Sequence, residues 1–267
     1  MVRLARLALI IVLAAGFFPA AAQSPDPPPS PPAFLLLHGW AGDSSSWRPV
    51  ASLLGSEDSA IDLPGHGTST REVTGWTVGD FARAVEDERV RRNIGCLVVG
   101  AHSNGAYIAR EYARLYPDHL GALVIVEGTF LLTFDTVDQF AAYRAGIDRN
   151  WTRIVQNPPG LVRAGPATAA TVRRMLAGAS KATALATFDM LASGELRSEQ
   201  VVDVPVTFAL ADAPMWTEPH FDRLRMIAPN SSVIHLGAVS HFPQLDRPEA
   251  IAEVFRRAAA AARCPNR

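Results

Sequence analysis

Leu97-Val98-Val99-Gly100-Ala101-His102-Ser103-Asn104-Gly105-Ala106-Tyr107 decides the fold. Leu97 to Val99 are apolar and partly β-branched, the composition of a strand buried on both faces. Ile108, Tyr112 and Leu115 then recur at helical spacing, and Pro117 ends that helix after Tyr116. Between strand and helix stands Ser103, with small residues two positions away on either side, Ala101 and Gly105. A serine on so sharp a turn adopts strained backbone angles, and larger side chains at those two positions would collide. Its hydroxyl then stands exposed at the C-terminal edge of the sheet. The Asn104 N–H and the start of the helix point at the reacting oxygen. The pattern is G-x-S-x-G with Ala101 in place of the first glycine. The same residues also describe an ordinary serine at a helix N-cap, so this stretch alone leaves both readings open.

Composition narrows the classes around it. The chain has 267 residues, 48% hydrophobic and 19% charged, with a net charge of −1. That suits one sizeable folded α/β domain and excludes a disordered chain. Positive charge is almost entirely arginine, Lys181 being the only lysine, and it forms no basic block, so nucleic acid is not an expected partner. Residues 1–22 read as a secretory signal peptide. Arg3 and Arg6 precede an apolar run from Leu7 to Phe18, and Ala20-Ala21-Ala22 supplies a cleavage site before Gln23. The competing reading is a membrane anchor. The run is too short for ~30 Å of hydrocarbon and Pro19 interrupts it, so no stable anchor is expected after cleavage, and the mature protein would be secreted or periplasmic. Cleavage leaves 23 Arg and Lys against 26 Asp and Glu, a net charge of −3. Export permits a disulfide between the two cysteines, Cys96 at the start of the central strand and Cys264 at the end of the last helix; two unpaired thiols is the alternative.

Along the chain, residues 23–32 form a Pro-rich linker, six of the nine residues from Ser24 to Pro32 being proline. Strands are expected at Ala33–Leu37, Ser59–Leu63, Cys96–Gly100, Ala122–Val126, Pro205–Leu210 and Ser232–Leu236. Helices are expected at Trp47–Leu54, Thr77–Arg92, Ser103–Tyr116 and Pro248–Ala262. Between Thr129 and Val202 there are helical patterns but no strand, broken at Asn157-Pro158-Pro159-Gly160. Strands alternating with helices predict a mostly parallel sheet flanked by helices, with residues 129–202 inserted as a helical cap over its C-terminal edge. The domain would run from 33 to 267.

Three further stretches stand with the Ser103 turn: His38-Gly39-Trp40-Ala41-Gly42 after the first strand, Asp62-Leu63-Pro64-Gly65-His66-Gly67 after the second, and Gly237-Ala238-Val239-Ser240-His241-Phe242-Pro243 after the last. As a set they resemble the α/β-hydrolase superfamily, from about Phe34 to the end of the chain. The resemblance implies that Ser103 is the nucleophile and His241 its base. The amides of Trp40 and Asn104 would form the oxyanion hole. His102 would pack or hydrogen-bond in the turn, and His66 and Asp62 would shape the loop after the second strand. Asp246 reads as the N-cap of the last helix. The short distance from the leader to the first strand leaves no room for the family's leading hairpin.

A serine hydroxyl is a poor nucleophile at neutral pH, so an imidazole must take its proton and a carboxylate must hold that imidazole. The carboxylate departs from the family's commonest pattern. Leu210-Ala211-Asp212-Ala213-Pro214 puts proline where the aspartate is expected, with Asp212 two residues early. Some members place the acid directly after the strand that follows the serine helix, which here is Glu127. Glu127 is therefore preferred and Asp212 is the alternative. Serine rather than a carboxylate nucleophile implies acyl transfer, and the implied substrate is a small or medium uncharged ester or lactone. The same fold and triad also serve amide or peptide hydrolysis, C–C bond hydrolysis and cofactor-free haloperoxidase chemistry, or a slow or non-catalytic binding role. Phe130, Leu131, Leu132 and Phe134 line an acyl pocket or form the core of the cap. No metal cluster, phosphate loop or dinucleotide motif stands out, so no cofactor is implied. The glycosylation patterns at Asn150 and Asn230 are read as coincidence.

Overall fold

The computed structural model describes residues 31–132, 134–198 and 200–264. The expected leader at 1–22, and all of the linker at 23–32 but Pro31 and Pro32, lie outside the described residues.

Six strands form one sheet: β1 (Ala33–Leu37), β2 (Ala60–Ile61), β3 (Leu97–His102), β4 (Leu120–Val126), β5 (Val206–Leu210) and β6 (Ser231–His235). Their order is β2-β1-β3-β4-β5-β6, and every pairing is parallel. Because side chains alternate along a strand, each strand feeds two cores. Leu35, Leu37, Val99, Leu123 and Phe208 face one side, under α2 (Val78–Arg91) and α3 (Gly105–Leu115). Leu36, Val98 and Val124 face the other, under α1 (Arg48–Leu53) and the closing helix (Pro248–Ala261). The closing helix packs so tightly that a Cβ on Gly100 would lie 2.3 Å from Phe255. Burial on both faces is the reason these strands read as continuous apolar runs.

The expected strands are present, each end displaced by two residues or fewer. The second is the shortest, Ala60–Ile61 where Ser59–Leu63 was expected. Its continuation is drawn into loop contacts instead. The Asp62 carboxylate accepts the N–H groups of Ser44 and Thr68, each at 2.8 Å, and His38 Nε2 accepts the Leu63 N–H at 3.1 Å.

Three helices separate β4 from β5: α4 (Val137–Gln156), α5 (Pro166–Gly178) and α6 (Lys181–Asp189). Thr136 caps α4 and Ser180 caps α6, each accepting a backbone N–H from three residues ahead. After β5 come α7 (Glu218–Ile227), the short α8 (Pro243–Asp246) and α9, the closing helix. Asp246 is not the N-cap expected for that last helix. It ends α8, and Arg247 occupies the cap without a side-chain bond. The Asp246 carboxylate instead accepts the Ser240 N–H at 2.8 Å and the Thr168 hydroxyl at 2.7 Å. Among the described residues no helix is long and apolar enough to cross a membrane.

Cys96 and Cys264 form a disulfide, with Cα atoms 5.7 Å apart and 168 residues between them. It ties the end of the chain to the start of β3, over Gly121, where a Cβ would sit 3.0 Å from both sulfurs. Closing so long a loop restricts the unfolded chain most, so reduction or Cys264→Ser is expected to lower stability by about 2–4 kcal/mol. Urea denaturation with and without dithiothreitol measures this; equal midpoints would show that the bond contributes nothing.

Candidate active site

β3 ends at His102 and α3 begins at Gly105, so two residues make the turn between them. Ser103 takes φ +51°, a left-handed conformation that costs a non-glycine residue about 1–3 kcal/mol. Crowding holds it there. A Cβ on Gly105 would lie 2.8 Å from the His38 carbonyl, one on Gly39 would lie 3.1 Å from Ser103 Cβ, and one on Gly128 would lie 3.0 Å from the Ser103 carbonyl. The loops after β1 and β4 therefore close on the serine turn with no room for a side chain at the points of approach.

The loop after β6 brings His241 to it. Nε2 of His241 lies 3.0 Å from Ser103 Oγ, and Nδ1 lies 3.2 Å from Glu127 Oε2. Glu127 follows β4 directly at φ +47°, and its other oxygen accepts the Ala211 N–H at 2.6 Å. It is 8% exposed, while the His241 side chain is 36% exposed. His241 faces Glu127 and not Asp212. The Asp212 carboxylate makes no hydrogen bond among the described residues, and Asp212 lines a separate cleft with Pro214, Trp216 and His235.

His241 is also held through its backbone. Its N–H donates to the Gly160 carbonyl at 3.1 Å, and its carbonyl accepts Nε2–H of His102 at 2.7 Å. His102 thus hydrogen-bonds in the turn, as the resemblance implied, and its place next to the serine is a support for the neighbouring loop. Burial, and then the nearby His241, push its pKa well below the ordinary value, so it stays neutral. His38 is fixed in the same way. It accepts the Leu63 N–H at Nε2 and donates Nδ1–H to the Gly39 carbonyl at 2.8 Å, which only the neutral ring can do. Burial and the His66 ring, 4.8 Å away, lower its pKa to about 3. His66 is likewise lowered by burial and donates to the Pro64 carbonyl at 3.0 Å. Asp62 is opposed by burial, yet the Thr68 and Ser44 N–H groups bring it down to about 2. His66 and Asp62 therefore shape the loops around β1 and β2.

The backbone N–H groups of Trp40 and Asn104 donate to no group among the described residues, and both residues line the cavity that contains Ser103. Unpaired donors beside a serine are what an oxyanion requires. The Trp40 indole is tied away from them, donating Nε1–H to the Ala184 carbonyl of α6 at 2.7 Å.

The cavity holds about 650 Å³. Tyr143, Ile147, Ile154, Met175, Leu176 and Phe188 give it an apolar wall from α4, α5 and α6. Phe130, Leu131, Leu132 and Phe134 do not line it. Phe130 is fully buried and packs on Phe208 with ring centroids 5.2 Å apart; Phe134 packs on Phe140 and Phe188. Phe134 thus joins the core between α4 and α6, the second of the two readings, whereas Phe130 belongs to the core of the sheet, which neither reading placed it in. Gly160, Arg153 and Asn157 also belong to the cavity, and the motifs did not single them out. The break at Asn157-Pro158-Pro159-Gly160 was a sequence signal for Asn157 and Gly160 but not for Arg153, and nothing in it says that the break meets His241. Among the described residues no group of three or more His, Cys, Asp or Glu side chains could hold a metal ion.

The alpha/beta hydrolase family model matches residues 34–254. The chain belongs to this family. A serine hydrolase-like protein of Danio rerio is 32% identical over 122 residues, 43% of this chain and 36% of that protein. A pimeloyl-[acyl-carrier protein] methyl ester esterase of Hamiltonella defensa is 33% identical over 95 residues, 35% of each chain. This chain thus spans about a third of each of these hydrolase-family relatives. An esterase from Thermogutta terrifontis, solved with malate bound, superposes with a TM-score of 0.72 at 21% identity, covering 85% of this chain and 89% of that one. An enol-lactonase from Burkholderia xenovorans gives 0.70 at 16% identity, over 87% and 92%. These structural likenesses show the hydrolase fold.

Two outcomes follow from this site. Gly160 sits at φ +81°, and a Cβ there would lie 2.7 Å from His241 Cβ, so Gly160→Ala must displace the histidine. Fluorophosphonate labelling of Ser103 is expected to slow by about tenfold to a hundredfold; an unchanged rate would mean that the loop does not position His241. The three neutral histidines also give stability a pH dependence. Their ordinary pKa is 6.5 and each is lowered by folding, His38 to about 3. As pH falls below the ordinary value the unfolded chain takes up protons that the folded chain refuses. Stability is therefore lost on acidification, by up to about 1.4 kcal/mol per pH unit for each histidine. Urea midpoints at about pH 7 and about pH 5 test this, and equal midpoints would contradict it.

Proposed function

We propose that this protein is an exported serine hydrolase that cleaves a carboxylic ester, a small or medium ester or lactone, through an acyl-enzyme on Ser103. The observation that carries the reading is the His241 ring, with one nitrogen 3.0 Å from Ser103 Oγ and the other 3.2 Å from Glu127. In this mechanism the Ser103 hydroxyl gives its proton to His241 Nε2 as Oγ attacks the ester carbonyl. Glu127 accepts Nδ1–H, holds the tautomer and balances the imidazolium. The carbonyl oxygen becomes an oxyanion in reach of the Trp40 and Asn104 amides. His241 then returns the proton to the departing alcohol. Water, activated by the same nitrogen, releases the acid from Ser103.

The named relatives support an ester as the bond, since one is described as a methyl ester esterase and a structural neighbour as an esterase. The apolar wall of the cavity suits a hydrocarbon acyl or alcohol part. Helices α4 to α6 serve as the cap that covers it. The leader at 1–22 supports export, with delivery to the periplasm or outside the cell and no anchor left in the membrane.

Hydrolysis of 4-nitrophenyl esters of increasing acyl length tests the assignment. Ser103→Ala is expected to abolish turnover. Glu127→Gln should lose about a hundredfold or more in kcat, and Asp212→Asn should stay within about threefold of wild type. Asp212→Asn losing as much as Glu127→Gln would transfer the acid's role. Wild-type turnover no greater than that of Ser103→Ala on every ester would sink the ester reading.

A further inference from the structure

The cavity beside Ser103 is lined by two exposed polar residues that the mechanism above does not use, Arg153 and Asn157. Arg153 lies in the last turn of α4 and lines the cavity with Asn157, one turn further on. Two charged residues earlier on α4 are in ion pairs, while Arg149, like Arg153, has none among the described residues. Arg144 is paired with Asp189 at 2.5 Å, and Asp148 with Lys181 at 2.6 Å. Arg153 has no ion pair and its guanidinium no hydrogen bond among the described residues, and the Asn157 side chain is equally unpartnered. The cavity's other group of formal charge, Glu127, is committed to His241 and to the Ala211 amide. The wall from α4, α5 and α6 is otherwise Tyr143, Ile147, Ile154, Met175, Leu176 and Phe188. The inserted stretch as a whole is also cationic, with eight Arg and Lys against six Asp and Glu between 129 and 202, on a chain whose net charge is −1.

We infer that the substrate carries a carboxylate at the end of an apolar spacer, and that Arg153 is the specificity-determining residue that receives it, with Asn157 donating alongside. A planar guanidinium presents paired N–H donors that match the two oxygens of a carboxylate. One unpaired cation balances one negative charge, which fits a monoanion better than a phosphate dianion. The apolar side chains next to it accommodate the spacer, and Ser103 sits in the same cavity to attack the ester. The substrate is then a half-ester of a dicarboxylic acid, or a lactone bearing a remote carboxylate. This departs from the uncharged substrate expected from the composition of the insertion, and it rests on the ester-hydrolase reading of the same cavity.

The test separates recognition from turnover. Ser103→Ala protein, which holds an ester without consuming it, is titrated calorimetrically at low ionic strength with monomethyl glutarate and with dimethyl glutarate. The half-ester is expected to bind about tenfold more tightly, because a hydrogen-bonded charge pair outweighs the extra methyl of the neutral diester. In the Ser103→Ala, Arg153→Ala double variant the two affinities should converge to within about twofold. Arg153→Lys should keep part of the preference, and Arg153→Glu should reverse it. Equal affinities in the Ser103→Ala protein, or a preference that survives Arg153→Ala, overturns the inference. Failure of the ester reading itself would register elsewhere, as absence of Ser103-dependent nitrophenolate release, so the two results cannot be confused.

Discussion

Everything at the C-terminal edge of the sheet depends on one backbone constraint, the left-handed turn at Ser103. The strand ahead of it and the helix behind it are both buried, so the turn cannot relax by moving either. It is also not alone. Ala41 after β1, at φ +51°, and Glu127 after β4, at φ +47°, are left-handed non-glycine residues on the two strands that flank β3. Three neighbouring strands thus each end in a strained residue at the same edge. Such strain persists only where packing over-determines it, and it clusters where side chains or amides must be aimed at one point. Here they aim a hydroxyl, a carboxylate and a loop carrying an unpaired N–H into one cavity.

The helical insertion takes part in that aim. α6 holds the Trp40 indole, the Gly160 carbonyl holds the His241 amide, and Thr168 of α5 holds Asp246, which in turn holds the Ser240 amide. The loops that carry Trp40 and His241 are both tied to the segment that walls the cavity. Whatever changes the insertion therefore changes the geometry around Ser103 and His241 as well as the shape of the cavity.

Buried histidines provide much of the polar framework beneath. His38 accepts the Leu63 N–H from the loop after β2, His66 donates to the Pro64 carbonyl within that same loop, His102 donates to the His241 carbonyl in the loop after β6, and each is kept neutral by burial. A neutral imidazole has one donor and one acceptor at a fixed angle, so it can join two backbone segments where a charged group would need a counter-ion. His241 differs from these three in exposure, its side chain being 36% exposed where they are buried.

Sequence by itself determined the sheet and the elbow. Buried strands read as apolar runs because both of their faces are covered, and the Ala101, Ser103 and Gly105 spacing marks the turn, although it is the His38 carbonyl of the neighbouring chain segment that leaves no room for a side chain at Gly105. The preference for Glu127 over Asp212 was implied by the family resemblance, some of whose members carry the acid directly after that strand, and the structure puts Glu127 against His241. Chain order could not decide the fate of Phe130 and Phe134, because an aromatic side chain near a site looks the same whether it faces the cavity or the core. Nor could it foretell that the Pro-Pro-Gly break would reach His241, that Cys96 and Cys264 would meet, that Asp246 would serve a loop rather than a helix, or that Arg153 would stand unpaired beside the serine. Apart from the Asp246 bond to the Ser240 N–H, six residues away, these depend on contacts between residues 78 or more positions apart, or on the absence of such a contact. Local pattern carries periodicity and turn chemistry; which surfaces of distant segments come together is set only when the whole chain packs.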